Sequence, residues 1–150
     1  MSAERMLTHV LRVVGVVMLC ALPAVAMPHA WMNAVHRWLG MGELPAEPIV
    51  GYLARTLSAM YALGGAMLLH LARDVRRHLA LLRFLAGAAG VFAVAVFAID
   101  HALGLPPRWR WTEGPAVAGI AIVLWGLAAL AAREAAREPE GRREAGKDGV

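Results

Sequence analysis

Cysteine is almost missing from this sequence of 150 residues, in which Cys20 stands alone. A single thiol cannot close an intramolecular disulfide, and it cannot supply the pair of thiols that dithiol redox chemistry needs. Charged side chains are also scarce, because Asp, Glu, Lys and Arg together make up only 17% of the chain. These shortages exclude a disulfide-stabilised small domain and argue against an ordinary soluble domain.

Sequence motifs of catalysis are missing as well. The chain contains no glycine loop for phosphate, no nucleophile elbow and no zinc-protease pattern. It also has no internal repeat, no heptad run and no strand-like alternation of useful length. We therefore expect a protein that is not an enzyme and that carries no cofactor.

Apolar residues are abundant, at 59% of the chain, whereas soluble domains contain about 45–50%. Four apolar stretches are long enough to cross a bilayer, because a spanning helix needs about 20 residues. They lie at 6–27, 49–72, 79–103 and 114–132. Lipid offers no partner to backbone amides, so each stretch must close its hydrogen bonds as a helix. The prediction is an all-α, antiparallel four-helix transmembrane bundle over residues 1–133.

The segments outside these stretches have their own signatures. Proline marks the helix ends, and Pro115 fits the first turn of the fourth helix. Between residues 29 and 39, Trp31, Val35 and Trp38 fall on one helical face, which predicts a short helix lying in the outer membrane interface. Residues 134–150 are polar and contain Pro139 and several glycines, which predicts a disordered cytoplasmic tail.

The first apolar stretch has two interpretations. Arg5 and Arg12 precede an apolar run that ends in Ala24-Val25-Ala26, the small-x-small spacing of a signal-peptidase site. In the other interpretation 6–27 is a retained first span, and its length favours this one. The sequence leaves open whether residues 1–26 are a cleaved signal peptide.

Basic residues set the expected orientation. Of the 15 basic residues, 11 lie at the N-terminal end, in the second connection or in the tail. Lys and Arg accumulate on the cytoplasmic side, so we expect both termini in the cytoplasm. Trp31, Trp38, Trp109 and Trp111 then lie on the outer side, at the headgroup level that tryptophan prefers. Acidic residues balance the basic ones of the tail, so we expect no nucleic-acid binding.

Ionisable residues inside spans are costly and therefore mark candidate sites. Arg55 in the second stretch and Asp100 in the third lie equally far from the middle of the connection that joins the two stretches. An antiparallel hairpin would place them at the same depth. Small residues follow each of them at helical spacing, which predicts that the two helices face each other. The expected polar cluster in the outer leaflet contains Arg55, Asp100, Glu113, Tyr52, Ser58 and His101.

This cluster permits two hypotheses. In the first, Arg55 and Asp100 form an ion pair that fixes the helix register, because removing either would leave a costly orphan charge. In the second, the cluster binds an anionic or polar ligand, with Arg55 as the anion anchor and the carboxylates as handles for a proton or cation. The sequence favours the structural hypothesis, since such pairs often exist without a ligand.

Histidines offer two further candidates. His9 and His70 lie near the cytoplasmic ends of their stretches, and two opposed imidazoles could ligate a haem. On the outer side, His29, His36 and His101 with the nearby carboxylates could form a metal site. Neither His9 nor His70 is near the middle of its stretch, and no second pair supports them. The outer set has no short local spacing except the adjacent Asp100–His101, whose side chains point in different directions on a helix. We therefore expect neither haem nor metal.

The overall layout resembles the small, mostly uncharacterised four-helix bacterial membrane proteins grouped around the DoxX-like and BphX-like families. The resemblance covers the four-span plan and the basic second connection Arg73-Asp74-Val75-Arg76-Arg77. It implies a location in the bacterial inner membrane. It carries over no catalytic or binding residue.

We therefore expect a small non-catalytic integral membrane protein that acts as a structural or accessory subunit. Its partners would be the lipid bilayer and another membrane protein or a second copy of the chain. Glycines that allow close helix contacts are Gly87, Gly90, Gly119 and Gly126. One alternative is a ligand-binding or transport protein that uses the cluster around Arg55 and Asp100. A second alternative is a haem- or metal-binding redox protein.

Overall fold

The structure, a computed structural model, describes residues 2–145. All regular structure in this range is helical. The elements are α1 (Ala3–Leu19), α2 (Leu22–Val25), α3 (His29–Trp38), α4 (Pro48–Leu71), a 3₁₀ turn (Arg76–His78), α5 (Leu79–Ala102) and α6 (Pro107–Ala145). The expected all-α class is therefore confirmed, and α1, α4, α5 and α6 are its long helices.

Three segments of the described chain are long and apolar enough to cross a membrane: Ala3–Val25, Arg76–Ala102 and Pro107–Arg137. They correspond to the first, third and fourth stretches expected from the sequence, although the first ends two residues and the third one residue before the expected end. The second expected stretch, 49–72, forms helix α4 with nearly the same bounds but is not among the three. Its composition explains the difference, because Arg55 and His70 lie inside it and lower its mean hydropathy.

The first apolar segment is interrupted rather than continuous. Helix α1 ends at Leu19, and the four-residue helix α2 begins at Leu22. Pro23 lies in the first turn of α2, where a backbone N–H would have no partner within the helix and its absence costs nothing. If α1 continued through Pro23, one hydrogen bond of that helix would be lost. The break expected at Pro28 also exists, because Pro28 is the N-cap of α3.

Proline and glycine set the other boundaries. Pro48 opens α4 at its first position. Helix α5 ends in a Schellman motif: the N–H of Leu105 donates to the Asp100 carbonyl oxygen at 3.1 Å, and the N–H of Gly104 donates to the His101 carbonyl oxygen at 3.2 Å. Gly104 has φ +65°, a left-handed conformation that glycine adopts without steric cost.

Helix α6 corrects two sequence predictions. It begins at Pro107, seven residues before the expected start, so Pro115 lies inside the helix instead of in its first turn. The helix also continues through Ala145, whereas disorder was expected from residue 134; residues 146–150 lie outside the described residues. At the start of this extension, the Glu134 carboxylate accepts the backbone N–H of Ala3 at 3.2 Å. That carboxylate caps the positive N-terminal end of α1. The N-cap residue Ser2 makes no capping hydrogen bond with its own side chain.

The long helices pack as two hairpins. Helix α1 packs on α4, helix α5 packs on α6, and a contact between α1 and α6 joins the two pairs. Helices α4 and α5 make at most marginal contact, although they are consecutive in the chain. The described core lies at one end of the molecule, where Leu7 and Leu11 are fully buried against Leu71, Val75 and Leu127.

Glycine allows the closest helix contacts. A Cβ atom on Gly65 of α4 would lie 2.6 Å from the Gly15 carbonyl oxygen of α1, which is too close for any other residue. A Cβ atom on Gly114 of α6 would lie 2.9 Å from the Phe97 Cβ of α5. Backbones approach this closely where small residues meet, as is common between membrane helices.

Candidate functional site

Arg55 lies in α4, and its guanidinium is directed toward the break between α2 and α3. Its Nη2 donates a hydrogen bond to the Met27 carbonyl oxygen at 3.1 Å. That carbonyl follows the last turn of α2 and has no partner within a helix, so the guanidinium satisfies an acceptor that the break exposes. Gly51 leaves room for this side chain, because a Cβ atom there would lie 3.1 Å from Nη1 of Arg55. Arg55 therefore connects α4 to the α2–α3 turn.

Asp100 is not the partner of Arg55. The ion pair of the described residues joins Arg76 Nε to Glu4 Oε2 at 2.6 Å, and none joins Arg55 to Asp100. The two small-residue faces exist as expected, but each faces a different helix. Gly65, on the α4 face, packs on α1, and Ala93 and Phe97, on the α5 face, pack on Gly114 of α6. Gly15 of α1 and Gly114 of α6 permit these close backbone contacts.

Asp100 is the one buried charged side chain of the described core, with only 3% of its surface exposed. Its Oδ2 atom is buried and has no hydrogen-bond partner. Asp100 lies in the last turn of α5, where the helix dipole places partial negative charge and disfavours a carboxylate. A buried carboxylate oxygen without a partner is costly, so this position requires an explanation.

Glu113 of α6 lies within electrostatic range of Asp100. Tyr61 of α4 lies within electrostatic range of Glu113. The Trp109 side chain lies within hydrogen-bonding reach of the Glu113 carboxylate. Three long helices thus contribute polar groups to one region, which we call the carboxylate cluster: Tyr61, Asp100 and Glu113.

The structure does not bring the other expected residues into this cluster. Tyr52 is 62% exposed. The Ser58 hydroxyl donates to the Ala54 carbonyl oxygen of its own helix at 2.9 Å. His101 is exposed and packs its ring 4.4 Å from that of Phe97. Of the six predicted residues, only Asp100 and Glu113 therefore share the cluster.

Tyr61 is not among the residues that the sequence predicts for the polar cluster. Its position in the middle of the apolar helix α4 was the available signal, because a phenol hydroxyl among apolar side chains needs a polar partner. Arg110 was also missed as a buried group. Its Nε atom is buried and lacks a hydrogen-bond partner.

The histidine hypotheses gain no geometric support. Within the described residues, no group of three or more His, Cys, Asp or Glu side chains could hold a metal ion. His9 and His70 are both exposed, and His36 contacts the Gly42 carbonyl oxygen through Nδ1 at 3.1 Å. Cys20 is exposed as well.

The outward face of α5 and α6 carries two apolar grooves. The first, of about 580 Å³, runs along α5 and is closed on one side by Trp125. The second, of about 480 Å³, lies between α5 and α6 and is lined by Ala118, Gly90 and Gly126 among others. The Trp125 ring lies between them, 3.2 Å from the position that a Cβ atom on Gly87 would take.

Comparison with protein-family models, with curated proteins and with solved structures finds no match for this chain.

Proposed function

We propose that the chain is an integral protein of the bacterial inner membrane. Four helical segments, α1–α2, α4, α5 and α6, cross this membrane as an antiparallel four-helix bundle. The fourth crossing, α4, is supported by its exposed face. Six large apolar side chains, each between 53% and 59% exposed, recur at helical spacing along its whole length. They are Ile49, Leu53, Leu57, Met60, Leu63 and Met67. In water such a stripe would be unstable, whereas lipid would cover it.

Arg55, the charged residue that lowers the mean hydropathy of α4, has a hydrogen-bond partner nearby. Arg55 donates to the Met27 carbonyl oxygen, so its guanidinium enters the membrane with a partner. Both termini are proposed to be cytoplasmic, since Arg73, Arg76 and Arg77 connect α4 to α5 on the same side as the chain ends.

The proposed role is that of a non-catalytic accessory subunit that binds a helix of a partner or of a second copy. One observation carries this role: the groove between α5 and α6 presents glycines that the bundle does not use. Nothing lies within 4 Å of a Cβ atom built on Gly90 or Gly126, both of which line this groove. Gly15, Gly65 and Gly114, by contrast, are consumed by contacts inside the bundle. Open glycines on a membrane helix allow a partner helix to approach closely.

The test fills the groove and measures association. Ala118→Leu places a larger side chain in the groove between α5 and α6, and Ala66→Leu makes the same change on the exposed face of α4. The full chain is crosslinked in its native membrane and then purified. We expect Ala118→Leu to reduce the crosslinked complex several-fold and Ala66→Leu to leave it unchanged. Equal yields from both variants, or no complex with the unaltered chain, would contradict the accessory role.

A second candidate function is favoured by the buried Asp100 oxygen that has no partner. We propose as an alternative that the carboxylate cluster binds a cation or a small polar ligand, as intramembrane carboxylates do in transport proteins. Tryptophan fluorescence can report binding, because Trp109 lies beside Glu113. Saturable quenching by a monovalent cation, lost in Asp100→Asn and kept in Asp74→Asn, is the expected result. A linear response that is equal in both variants would remove this alternative.

A further inference from the structure

Arg83 is a charged residue on the outward face of a membrane-spanning segment. It lies seven residues into the segment Arg76–Ala102, about 10 Å along the helix axis from Arg76 at about 1.5 Å per residue. Its side chain is exposed, so in the proposed membrane it faces lipid and not the protein interior. A guanidinium within a span is costly unless its side chain extends toward the headgroups and finds an anion there.

The structure holds Arg83 in place without neutralising it. Its guanidinium carbon lies 5.5 Å from the centroid of the Trp125 ring, a cation–π contact between α5 and α6. No carboxylate of the described residues lies within ion-pair distance of Arg83. The contact with Trp125 therefore orients the charge and leaves its hydrogen-bond donors available.

An apolar groove runs along α5 past the Arg83 side chain. The groove along α5 is lined by Phe84, Gly87, Val91 and Trp125, with Arg83 at the end nearer the connection between α4 and α5. It extends from Ala80 to Val91, which is about 17 Å at about 1.5 Å per residue. One leaflet contributes about half of the roughly 30 Å hydrocarbon core. The groove thus has the length of one acyl chain and ends near the bilayer midplane.

Positive charge continues beyond the polar end of the groove. Arg77 lies three residues before Ala80 and is exposed, and Arg73 is exposed on the same connection. Arg76 contributes less free charge, because it pairs with Glu4. A basic patch at the membrane surface attracts anionic headgroups.

We infer that Arg83, Trp125 and the groove along α5 form a binding site for one anionic phospholipid of the cytoplasmic leaflet. The acyl chain lies in the groove, and the phosphate accepts hydrogen bonds from the Arg83 guanidinium. Arg77 adds to the positive potential at the headgroup. The site rests on the proposed membrane insertion, but it does not depend on the partner that the groove between α5 and α6 would bind.

Native mass spectrometry of the full chain, released from nanodiscs, tests the site. Nanodiscs contain equal amounts of phosphatidylglycerol and phosphatidylcholine with identical acyl chains. We expect one retained phosphatidylglycerol per chain and a roughly fivefold lower retained fraction in Arg83→Gln, which corresponds to about 1 kcal/mol. Arg37→Gln removes an exposed charge from α3, outside both the groove and the basic connection, and its retained fraction should stay near that of the unaltered chain.

A second variant addresses the acyl chain separately. Ala88→Phe fills the groove without changing charge and should also lower phosphatidylglycerol retention. Free glycerol phosphate, which lacks acyl chains, should not displace the lipid. Its displacement of the lipid would assign the site to phosphate alone and overturn the inference.

Three other results would overturn it. They are equal retention of the two lipids by the unaltered chain, equal losses in Arg83→Gln and Arg37→Gln, and a second copy of the chain in place of the lipid. Failure of membrane insertion is distinguishable from each of these, because the chain would then not elute with the nanodiscs. Circular dichroism of each variant verifies that the helices are retained.

Discussion

The Arg55 guanidinium donates to the Met27 carbonyl oxygen at 3.1 Å and has no ion pair with Asp100. The sequence predicts that Arg55 and Asp100 meet, because they share a depth and lie on matching helix faces. In the structure they do not pair. This separation divides the polar groups of the spans into two sets with different roles. Arg55 stabilises the junction of α2, α3 and α4, whereas Asp100 belongs to the carboxylate cluster.

The first prediction concerns this separation. Arg55→Gln and Asp100→Asn should change the free energy of unfolding independently. The effects of substitutions at residues without shared partners usually sum to that of the double variant within about 0.5 kcal/mol. Thermal unfolding of both single variants and the double variant in detergent measures their coupling. A coupling energy well above that limit would restore the ion pair and contradict the structure.

The second prediction concerns Asp100 itself. Replacing its carboxylate with the isosteric amide removes repulsion from Glu113 and an unfavourable interaction with the end of the α5 dipole. We expect Asp100→Asn to raise stability in low-salt detergent by about 0.5–1 kcal/mol. Asp74→Asn serves as control, since Asp74 accepts the backbone N–H of Arg77 at 3.2 Å and should lose a little stability. A lower melting temperature for Asp100→Asn would mean that a positive partner faces the carboxylate.

Much of the helix pattern could be predicted from the sequence, because it depends on local signals. Pro48 and Gly104 mark helix ends by their own backbone preferences, and apolar length marks the helices themselves. Pro115 was misleading because proline within a membrane helix is tolerated when neighbouring groups satisfy the freed carbonyl. The contact between Glu134 and Ala3 joins residues 131 positions apart, so no local pattern could predict it.

Helix pairing was harder to predict than helix position. The small-residue faces of α4 and α5 were identified, but small residues do not specify their partner. Gly15 and Gly114 decided the pairing, because each permits a backbone contact that a Cβ atom would prevent. Tyr61 entered the carboxylate cluster for the same reason, since its neighbours depend on how α4 lies against the other helices.

The third prediction tests these glycines. Gly114→Ala should destabilise the protein by about 1–3 kcal/mol, because the new methyl group would lie 2.9 Å from the Phe97 Cβ. Gly90→Ala adds the same methyl group where nothing lies within 4 Å, and it should leave stability unchanged or raise it. Melting temperatures of the two variants provide the comparison. Equal effects would show that α5 and α6 do not cross at Gly114.

The fourth prediction concerns the cap of α1. Glu134→Gln should lower stability by about 0.5–1 kcal/mol, because a neutral amide interacts less favourably with the positive helix end. Arg133→Gln changes an exposed neighbour and should have little effect. Hydrogen exchange at the first turn of α1 reports the same contact locally. Unchanged exchange in Glu134→Gln would indicate that α6 does not reach α1.

The central claim is that α4 crosses the membrane, and cysteine accessibility tests it most directly. In a Cys20→Ser background, Glu43→Cys marks the segment before α4 and Asp74→Cys marks the segment after it; both positions are exposed. An impermeant maleimide is applied to intact cells and then to permeabilised cells. We predict that Glu43→Cys reacts from outside and that Asp74→Cys reacts only after permeabilisation. Labelling of both positions from the same side would place α4 along the membrane surface and contradict the four-helix account.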